Sequence, residues 1–426
     1  MIDDKLYTLA FEYKKTKLWK TLYDMELFAL RLTDGRIGYI SIIGAKGEDC
    51  AVSLYIGEEG WNSFCAVTKA DEYRLSPLEF QEEVLKQNCL QCAFEKKEEL
   101  SKKEQEKAKN YARAHGIRFR GKNAYPRFMK YQPNHYPWYL QEDNEKEDLC
   151  EALTGAIEMA KLLEKSPKEE LGICSLEEKK EEILLLEFQE GTYSLSKIKL
   201  PERKQEPIPM PENCNEIGMG NLKKMKRNGI WECEILQYPE PIQNHPEEVP
   251  YFPYFLLIVE TATEYMLPVS PAEYYKEAPE ELLNLMIEAF LEEELCPREI
   301  RVCEERTYAF LESFCRKLKI KLSMKEELLV LRKMECEFLR YFYMGDEEEM
   351  EEVTNLLNYA LERGQINTED LPEELMEEIR ILLKQEALPE ETAEKLCEIF
   401  GFGKEEPRGR LKKSDFQIYE GKNDQK

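Results

Sequence analysis

Residues 250–322 constrain the fold more than any other stretch, because short apolar runs alternate there with amphipathic helical segments. The runs YFLLIVE and EYMLPV predict a hairpin, and PREIRV and KIKL predict two further strands. Apolar residues at helical spacing predict a helix over residues 279–295 and another between the last two strands. A strand, a helix and a second strand in sequence form a right-handed crossover. The stretch therefore predicts a partly parallel sheet with helices on it.

The N-terminal half predicts an antiparallel meander. ELFALRL and RIGYISIIG are separated by Asp34-Gly35, a dipeptide typical of tight hairpin turns because glycine accepts the positive φ such a turn needs. CAVSLYIG supplies a third strand, and residues 182–199 predict a further hairpin. Ser76-Pro77 predicts the start of a helix that extends to residue 109. Residues 117–138 have neither helical nor strand periodicity, and we interpret them as a structured loop.

These segments together predict a fold class of α+β or α/β. We expect an N-terminal meander-plus-helices domain over residues 1–165 and a mixed α/β domain with crossover helices over residues 182–344. An acidic helical appendage is predicted for residues 346–403, followed by a disordered tail over residues 404–426.

Composition limits the compartment and the partners. The chain has 13 scattered cysteines, begins with an acidic segment and contains no apolar run of the roughly 20 residues that cross a bilayer. We expect a cytoplasmic protein with reduced thiols and no membrane contact. The net charge of −26 disfavours binding of nucleic acid by the surface as a whole.

The charge is unevenly distributed. Residues 107–130 contain eight basic and no acidic residues, whereas residues 346–403 contain 18 acidic and four basic ones. Cations interleaved with aromatic side chains are used to bind single-stranded nucleic acid. They can also bind an acidic protein partner or the acidic segment of the same chain. We favour these two uses of the cations over binding of nucleic acid. The candidate binding residues are Arg113, Arg118, Arg120, Lys122, Arg127 and Trp138.

Motifs for catalysis or metal binding are weak. The single CxxC at Cys89 and Cys92 lies in the predicted helix without a second ligand pair, which favours buried structural thiols. No GxSxG or HExxH motif is present. GMGN at residues 218–221 lacks the ending of a phosphate-binding loop, and we interpret it as part of a flexible basic connector.

Carboxylates follow two of the predicted strands. Glu260 follows LLIV, and Glu304 and Glu305 follow IRVC. If these side chains met, they could hold Mg²⁺ for phosphoryl chemistry. The strand–helix order resembles a ribonuclease H-like fold, whose active members carry acids near these positions. This chain departs from that pattern, with Glu260 in place of the usual Asp and Cys303 directly after IRV.

Four longer motifs resemble a bacterial two-domain family whose parts are domains of unknown function. They are GYISIIGAKGED, SLYIGEEGW, FPYFLLIVETATEYMLP and CPREIRVCEERTYAFLESFCRKLKIKL, and the resemblance covers residues 18–344. It implies a bacterial cytoplasmic protein and brings no activity. Since catalytic signatures are missing, we expect a non-catalytic interaction or regulatory protein without a cofactor. The alternative is a nucleic-acid-binding or Mg²⁺-dependent nuclease-like protein that uses the basic segment and the strand-end carboxylates.

Overall fold

A computed structural model describes residues 2–44, 50–70, 77–173, 175, 181–189, 191–204, 207–212, 214–245, 248–273 and 275–344. These residues form two compact units. The first contains the described residues up to Pro209 together with Leu236–Phe255 and Pro271–Ala278. The second contains Met210–Ile235, Leu256–Ser270 and the described residues from Pro279 onward. The predicted acidic appendage and disordered tail lie outside the described residues.

The first unit is built from helices α1 to α5 and strands β1 to β8. In chain order these are α1 (Ile2–Thr16), β1 (Phe28–Arg31), β2 (Ile37–Ile43), β3 (Ala51–Ile56), α2 (Gly57–Ala70), α3 (Pro77–Val84), β4 (Cys89–Glu95), α4 (Lys102–Ala114), β5 (Tyr125–Tyr131), β6 (Trp138–Tyr139), α5 (Asp143–Leu163), β7 (Glu182–Gln189) and β8 (Thr192–Lys199).

The eight strands form one mixed sheet in the order β6-β5-β4-β3-β2-β1-β7-β8. Consecutive neighbours are antiparallel, which confirms the predicted meander, and Gly35 in its first turn has a φ of +92°. The exception is β7, which pairs parallel with β1. Residues 182–199 do form the predicted hairpin, but this pairing places it in the first unit. The expected start of a second domain at residue 182 stays a prediction.

Apolar side chains cover both faces of this sheet. On one face α1 and α5 contribute Leu6, Tyr13, Leu149 and Leu153 to a core that includes Phe28 and Ile40 of the strands. On the other face Trp61 and Phe64 of α2 pack with Tyr39 and Tyr55. The same strands therefore alternate between two cores, as expected for a sheet buried on both sides.

Two predictions for residues 76–138 are wrong. The long helix is interrupted, because Cys89–Glu95 forms strand β4 between β3 and β5. Its consecutive buried residues are typical of a strand that is covered on both faces of the sheet. The structured loop contains β5, which pairs with β4 over seven residues, and the short β6.

The second unit is organised around a four-stranded sheet. Its elements are α6 (Glu216–Leu222), β9 (Asn228–Gln237), β10 (Tyr254–Glu260), α7 (Pro279–Glu292), β11 (Pro297–Val302), α8 (Glu305–Leu318), β12 (Lys321–Met324) and α9 (Leu329–Met344). The strand order is β10-β9-β11-β12, and β11 runs parallel to both β9 and β12. This confirms the predicted mixed sheet with crossover helices. GMGN lies within α6 and is not a flexible connector.

The strand β10 runs opposite to β9. Thr261, which follows the end of β10, donates its backbone N–H to the carbonyl oxygen of Ile230 near the start of β9 (2.9 Å). The predicted second arm of the β10 hairpin is reduced to a bridge between Val259 and Met266. In the part of the chain that the structure describes, no helix is long and apolar enough to cross a membrane.

Candidate binding surface

The loop between α4 and β5 exposes its cations and turns its apolar residues inward. Helix α4 begins with a capping box, in which Ser101 accepts from the N–H of Glu104, and it ends beside Gly116 with a φ of +65°. In the extended segment that follows, Ile117 and Phe119 are partly buried, whereas Arg118 and Arg120 are exposed. This alternation has the period of an extended chain, and it fixes the direction in which each arginine points.

The inward side chains belong to an aromatic cluster between α1, α4 and β5. Tyr7, Ala108 and Tyr111 are its buried members, and Phe11, Ile117, Phe119, Tyr125 and Phe128 pack against them. Phe119 stacks on Tyr125 with ring centroids 4.0 Å apart, and Tyr7 stacks on Tyr111 at 5.1 Å. The hydroxyls of Tyr111 and Thr8 lie 2.7 Å apart. Most of the aromatic side chains interleaved with the cations are therefore part of a core.

Trp138, the aromatic candidate of the sequence, lies on β6 opposite Lys130 of β5. Its side chain is half-buried, and its ring centroid is 5.1 Å from that of Tyr139 in a tilted arrangement. Its indole Nε1 is buried and has no hydrogen-bond partner among the described residues. The indole of Trp138 is therefore only partly exposed.

Two of the cations in residues 107–130 are used inside the fold. Arg127 Nε lies 3.4 Å from Glu104 Oε1, and Lys130 Nζ lies 2.6 Å from Glu145 Oε1. Both pairs tie β5 to neighbouring helices, so these cations contribute to structure. Arg127 is therefore a poor candidate for an external ligand.

Three others remain available. Arg118, Arg120 and Lys122 are exposed, and within the described ranges no carboxylate pairs with them. Arg113, at the last turn of α4, is exposed and lies 3.5 Å from the side-chain oxygen of Asn110. These four cations follow one another along the end of α4 and the loop.

An open depression of about 320 Å³ runs along the exposed face of α4, next in sequence to these cations. Three of its six lining side chains are cationic and one, Glu106, is anionic. The lining residues are Lys102, Gln105, Glu106, Lys109, Asn110 and Arg113. We define the basic surface as Lys102, Lys109, Arg113, Arg118, Arg120 and Lys122.

Glu260 has a local structural role. Its Oε2 accepts hydrogen bonds from the N–H of Ala262 (2.9 Å), the N–H of Thr263 (2.7 Å) and the Thr263 hydroxyl (2.8 Å). Partial burial opposes ionisation, but these hydrogen bonds outweigh it and lower the pKa of Glu260 below its ordinary value. The carboxylate therefore holds the turn that ends β10.

The structure does not bring Glu260 together with Glu304 and Glu305. The end of β10 lies beside the start of β9, whereas Glu304 and Glu305 follow the far end of β11, which is parallel to β9. The six residues of β11 span about 20 Å. Glu304 Oε2 lies 3.3 Å from Arg306 Nη2, and Glu305 is exposed in the first turn of α8.

Sequence reasoning missed the carboxylates on β9 itself. Glu234 is completely buried, and Arg332 of α9 approaches both of its oxygens at 3.0 and 3.2 Å. Glu232 accepts the N–H of Leu331 (2.8 Å) and so caps the start of α9. The signal was the alternation in WECEIL, which places both glutamates on one face of a strand that also carries buried apolar residues.

Cys89 and Cys92 are buried and Cys303 is partly buried. Cys303 lies 3.6 Å from Glu234, and burial together with that carboxylate raises the pKa of its thiol to about 12, so it is protonated at neutral pH. Cys89 and Cys92, three positions apart on a strand, pack in different cores on opposite faces of the sheet. They cannot bind one metal ion together.

Two family models match the chain. Residues 4–184 match "Domain of unknown function (DUF7309)", and residues 219–339 match "Domain of unknown function (DUF6930)". Each model covers less than half of the chain, and the two matches together confirm the predicted resemblance to a two-domain family of unknown function. No curated protein and no solved structure matches the chain. The matches bring no activity, ligand or site residue.

Proposed function

We propose that this chain is a non-catalytic interaction protein of the bacterial cytoplasm, whose basic surface binds an acidic segment of a partner protein. The supporting observation is the alternation at residues 117–120, which exposes Arg118 and Arg120 while the aromatic side chains between and beside them are packed in a core. Arg118 and Arg120 thus offer positive charge while the rings between and beside them are turned inward.

This arrangement favours carboxylates over nucleic acid. Recognition of single strands gains about 1–3 kcal/mol per base from stacking on aromatic rings, and the rings of this cluster are turned inward. The net charge of −26 repels acidic peptides and nucleic acids alike, so the preference for carboxylates rests on the inward orientation of the rings.

The nuclease-like alternative has less support. It needs carboxylates that converge on a metal ion, but Glu260 and Glu304 lie at opposite ends of their sheet. Glu260 is also engaged by three hydrogen bonds within its own turn.

The test is a fluorescence anisotropy titration of labelled polyglutamate with three proteins. In the first variant Arg118, Arg120 and Lys122 are replaced by alanine. In the matched control Lys223, Lys224 and Lys226, which are exposed beyond α6, are replaced by alanine, so that both variants lose three positive charges.

We expect the wild type to bind polyglutamate with an affinity that falls as salt is added. Three surface contacts of about 0.5 kcal/mol each predict a roughly tenfold weaker affinity for the first variant, and the control should stay within about twofold. An equal loss of affinity for polyglutamate in the two variants, or no binding of polyglutamate by the wild type at low salt, would contradict the proposal.

A further inference from the structure

The strand β8 (Thr192–Lys199) is an edge of the eight-stranded sheet that the described residues form. Among those residues its one strand partner is β7, and it is exposed at most positions. Leu195 is 42% exposed, and Phe188, across the hairpin, is 60% exposed with its ring 5.1 Å from that of Tyr193. An edge of this length with exposed apolar side chains is a template for pairing with another strand.

The register of the hairpin shows which backbone groups face outward. Leu200 donates its N–H to the carbonyl oxygen of Glu181 (2.8 Å), so even-numbered residues of β8 bond to β7. Odd-numbered residues therefore direct both N–H and C=O away from the sheet. These residues are Tyr193, Leu195, Lys197 and Lys199.

The side chains of the same four residues make the edge complementary to itself. Tyr193, which is partly buried against the core, and the exposed Leu195 form an aromatic and apolar first half, and Lys197 and Lys199 form a cationic second half. A parallel copy would place lysine opposite lysine, which is destabilising. An antiparallel copy centred on Leu195 places Leu195 against its own copy and Tyr193 against Lys197, where a cation can lie over the ring.

We propose that two copies of this chain pair antiparallel through β8, with Leu195 on the two-fold axis, so that their sheets form one continuous sheet. Each outward-facing pair then exchanges two backbone hydrogen bonds. The pairing brings the exposed Leu195 side chains of the two copies together. It uses a different surface from the basic surface and does not depend on the proposed function.

Sedimentation equilibrium of the full chain tests the pairing. The wild type should show a mass that rises with concentration toward twice the 50.3 kDa of one chain. Leu195→Lys brings two like charges together at the axis and should give a monomer at the same concentrations. The matched control is Ile217→Lys, which changes another exposed apolar residue (80% exposed) and should leave the dimer intact.

A cysteine at the axis provides a second, independent test. Opposite residues in a hydrogen-bonded antiparallel pair have Cα atoms about 5.5 Å apart, which is within disulfide range. Leu195→Cys should therefore form a covalent dimer under mild oxidation much faster than Ser194→Cys or the wild type. A wild type that stays monomeric, a dimer that Leu195→Lys leaves unchanged, or equal cross-linking at positions 194 and 195 would overturn the proposal.

Discussion

Phe119 stacks on Tyr125 at a centroid distance of 4.0 Å. This contact determines which way the side chains of residues 118–120 point. Because Phe119 is held inward, Arg118 and Arg120 on either side of it must point outward. The aromatic side chains position the cations and are not themselves available for a ligand. The aromatic residues, which in the sequence are typical of a base-stacking surface, thus hold the cations in position.

Replacement of Phe119 by alanine should lower the free energy of unfolding by about 2–3 kcal/mol, because it removes a partly buried ring from the aromatic cluster. Urea denaturation measures the loss. Tyr139→Ala is the control, since that ring is 42% exposed, and it should cost less than about 1 kcal/mol. A Phe119 variant of unchanged stability would show that the ring is not part of the core.

Replacement of Glu260 by alanine should destabilise the second unit by about 1–2 kcal/mol, because three hydrogen bonds in the turn after β10 are lost. Glu305→Ala, at an exposed carboxylate, should cost less than about 0.5 kcal/mol. Thermal unfolding with and without Mg²⁺ measures both. If Mg²⁺ stabilised the wild type and not the Glu260 variant, a metal-binding role would replace the structural one.

Glu299 should make stability depend on pH in the acid range. Burial opposes its ionisation, but bonds from Lys321 (3.1 Å), Ser323 (3.0 Å) and Arg301 (3.3 Å) outweigh burial and lower its pKa from 4.5 to about 2. Because the pKa is lower in the folded state, this contribution is complete above pH 4.5 and is lost as the pH falls toward 2.

Glu299→Gln should therefore lower stability at pH 7 by about 1–2 kcal/mol, a value reduced by solvent screening of the exposed Lys321. Denaturation curves from pH 7 down to pH 2 should show the difference from the wild type shrinking toward zero. Glu281→Gln, at an exposed carboxylate of α7, serves as the control and should cost less than about 0.5 kcal/mol at pH 7. A constant difference across the range would contradict the assigned pKa.

Replacement by alanine should have opposite effects on the free energy of unfolding at Gly229 and at Gly220. Gly229 has a φ of +70°, and a Cβ there would lie 2.9 Å from Glu260 Oε1 and 3.0 Å from Trp231 Nε1. Gly229→Ala should cost about 2–3 kcal/mol from backbone strain and crowding. Gly220, inside α6, has open space at the Cβ position, and Gly220→Ala should stabilise by about 0.5–1 kcal/mol. Chemical denaturation distinguishes these results, and a neutral Gly229→Ala would refute the packing at this turn.

Local sequence signals predicted the elements whose partners are close in the chain. Asp34-Gly35 fixed the first hairpin, and strand–helix alternation after residue 279 predicted the parallel strands β11 and β12. The residues of β4 do not distinguish a strand from a helix in the sequence, because a short run buried on both faces has no period of its own. The strand β5 was missed because its polar residues Arg127 and Lys130 are paired with Glu104 and Glu145, which the sequence does not show.

Long-range pairing accounts for the other differences. The parallel contact between β1 and β7 joins residues more than 150 positions apart, and nothing in EILLLEF specifies it. The direction of β10 relative to β9 likewise decides that Glu260 and Glu304 are separated, and that direction follows from packing and not from either strand alone. The cations of the candidate surface were predictable from composition, whereas their separation from the aromatic side chains was not.

The most direct test of the central claim, that exposed cations bind without help from aromatic stacking, compares two ligands of equal net charge. Labelled polyglutamate and labelled oligothymidylate are titrated against the wild type at the same low ionic strength. We predict that polyglutamate binds at least as tightly, and that replacing Arg118, Arg120 and Lys122 by alanine weakens its binding about tenfold. Oligothymidylate binding that is tenfold or more tighter than polyglutamate binding would contradict the account.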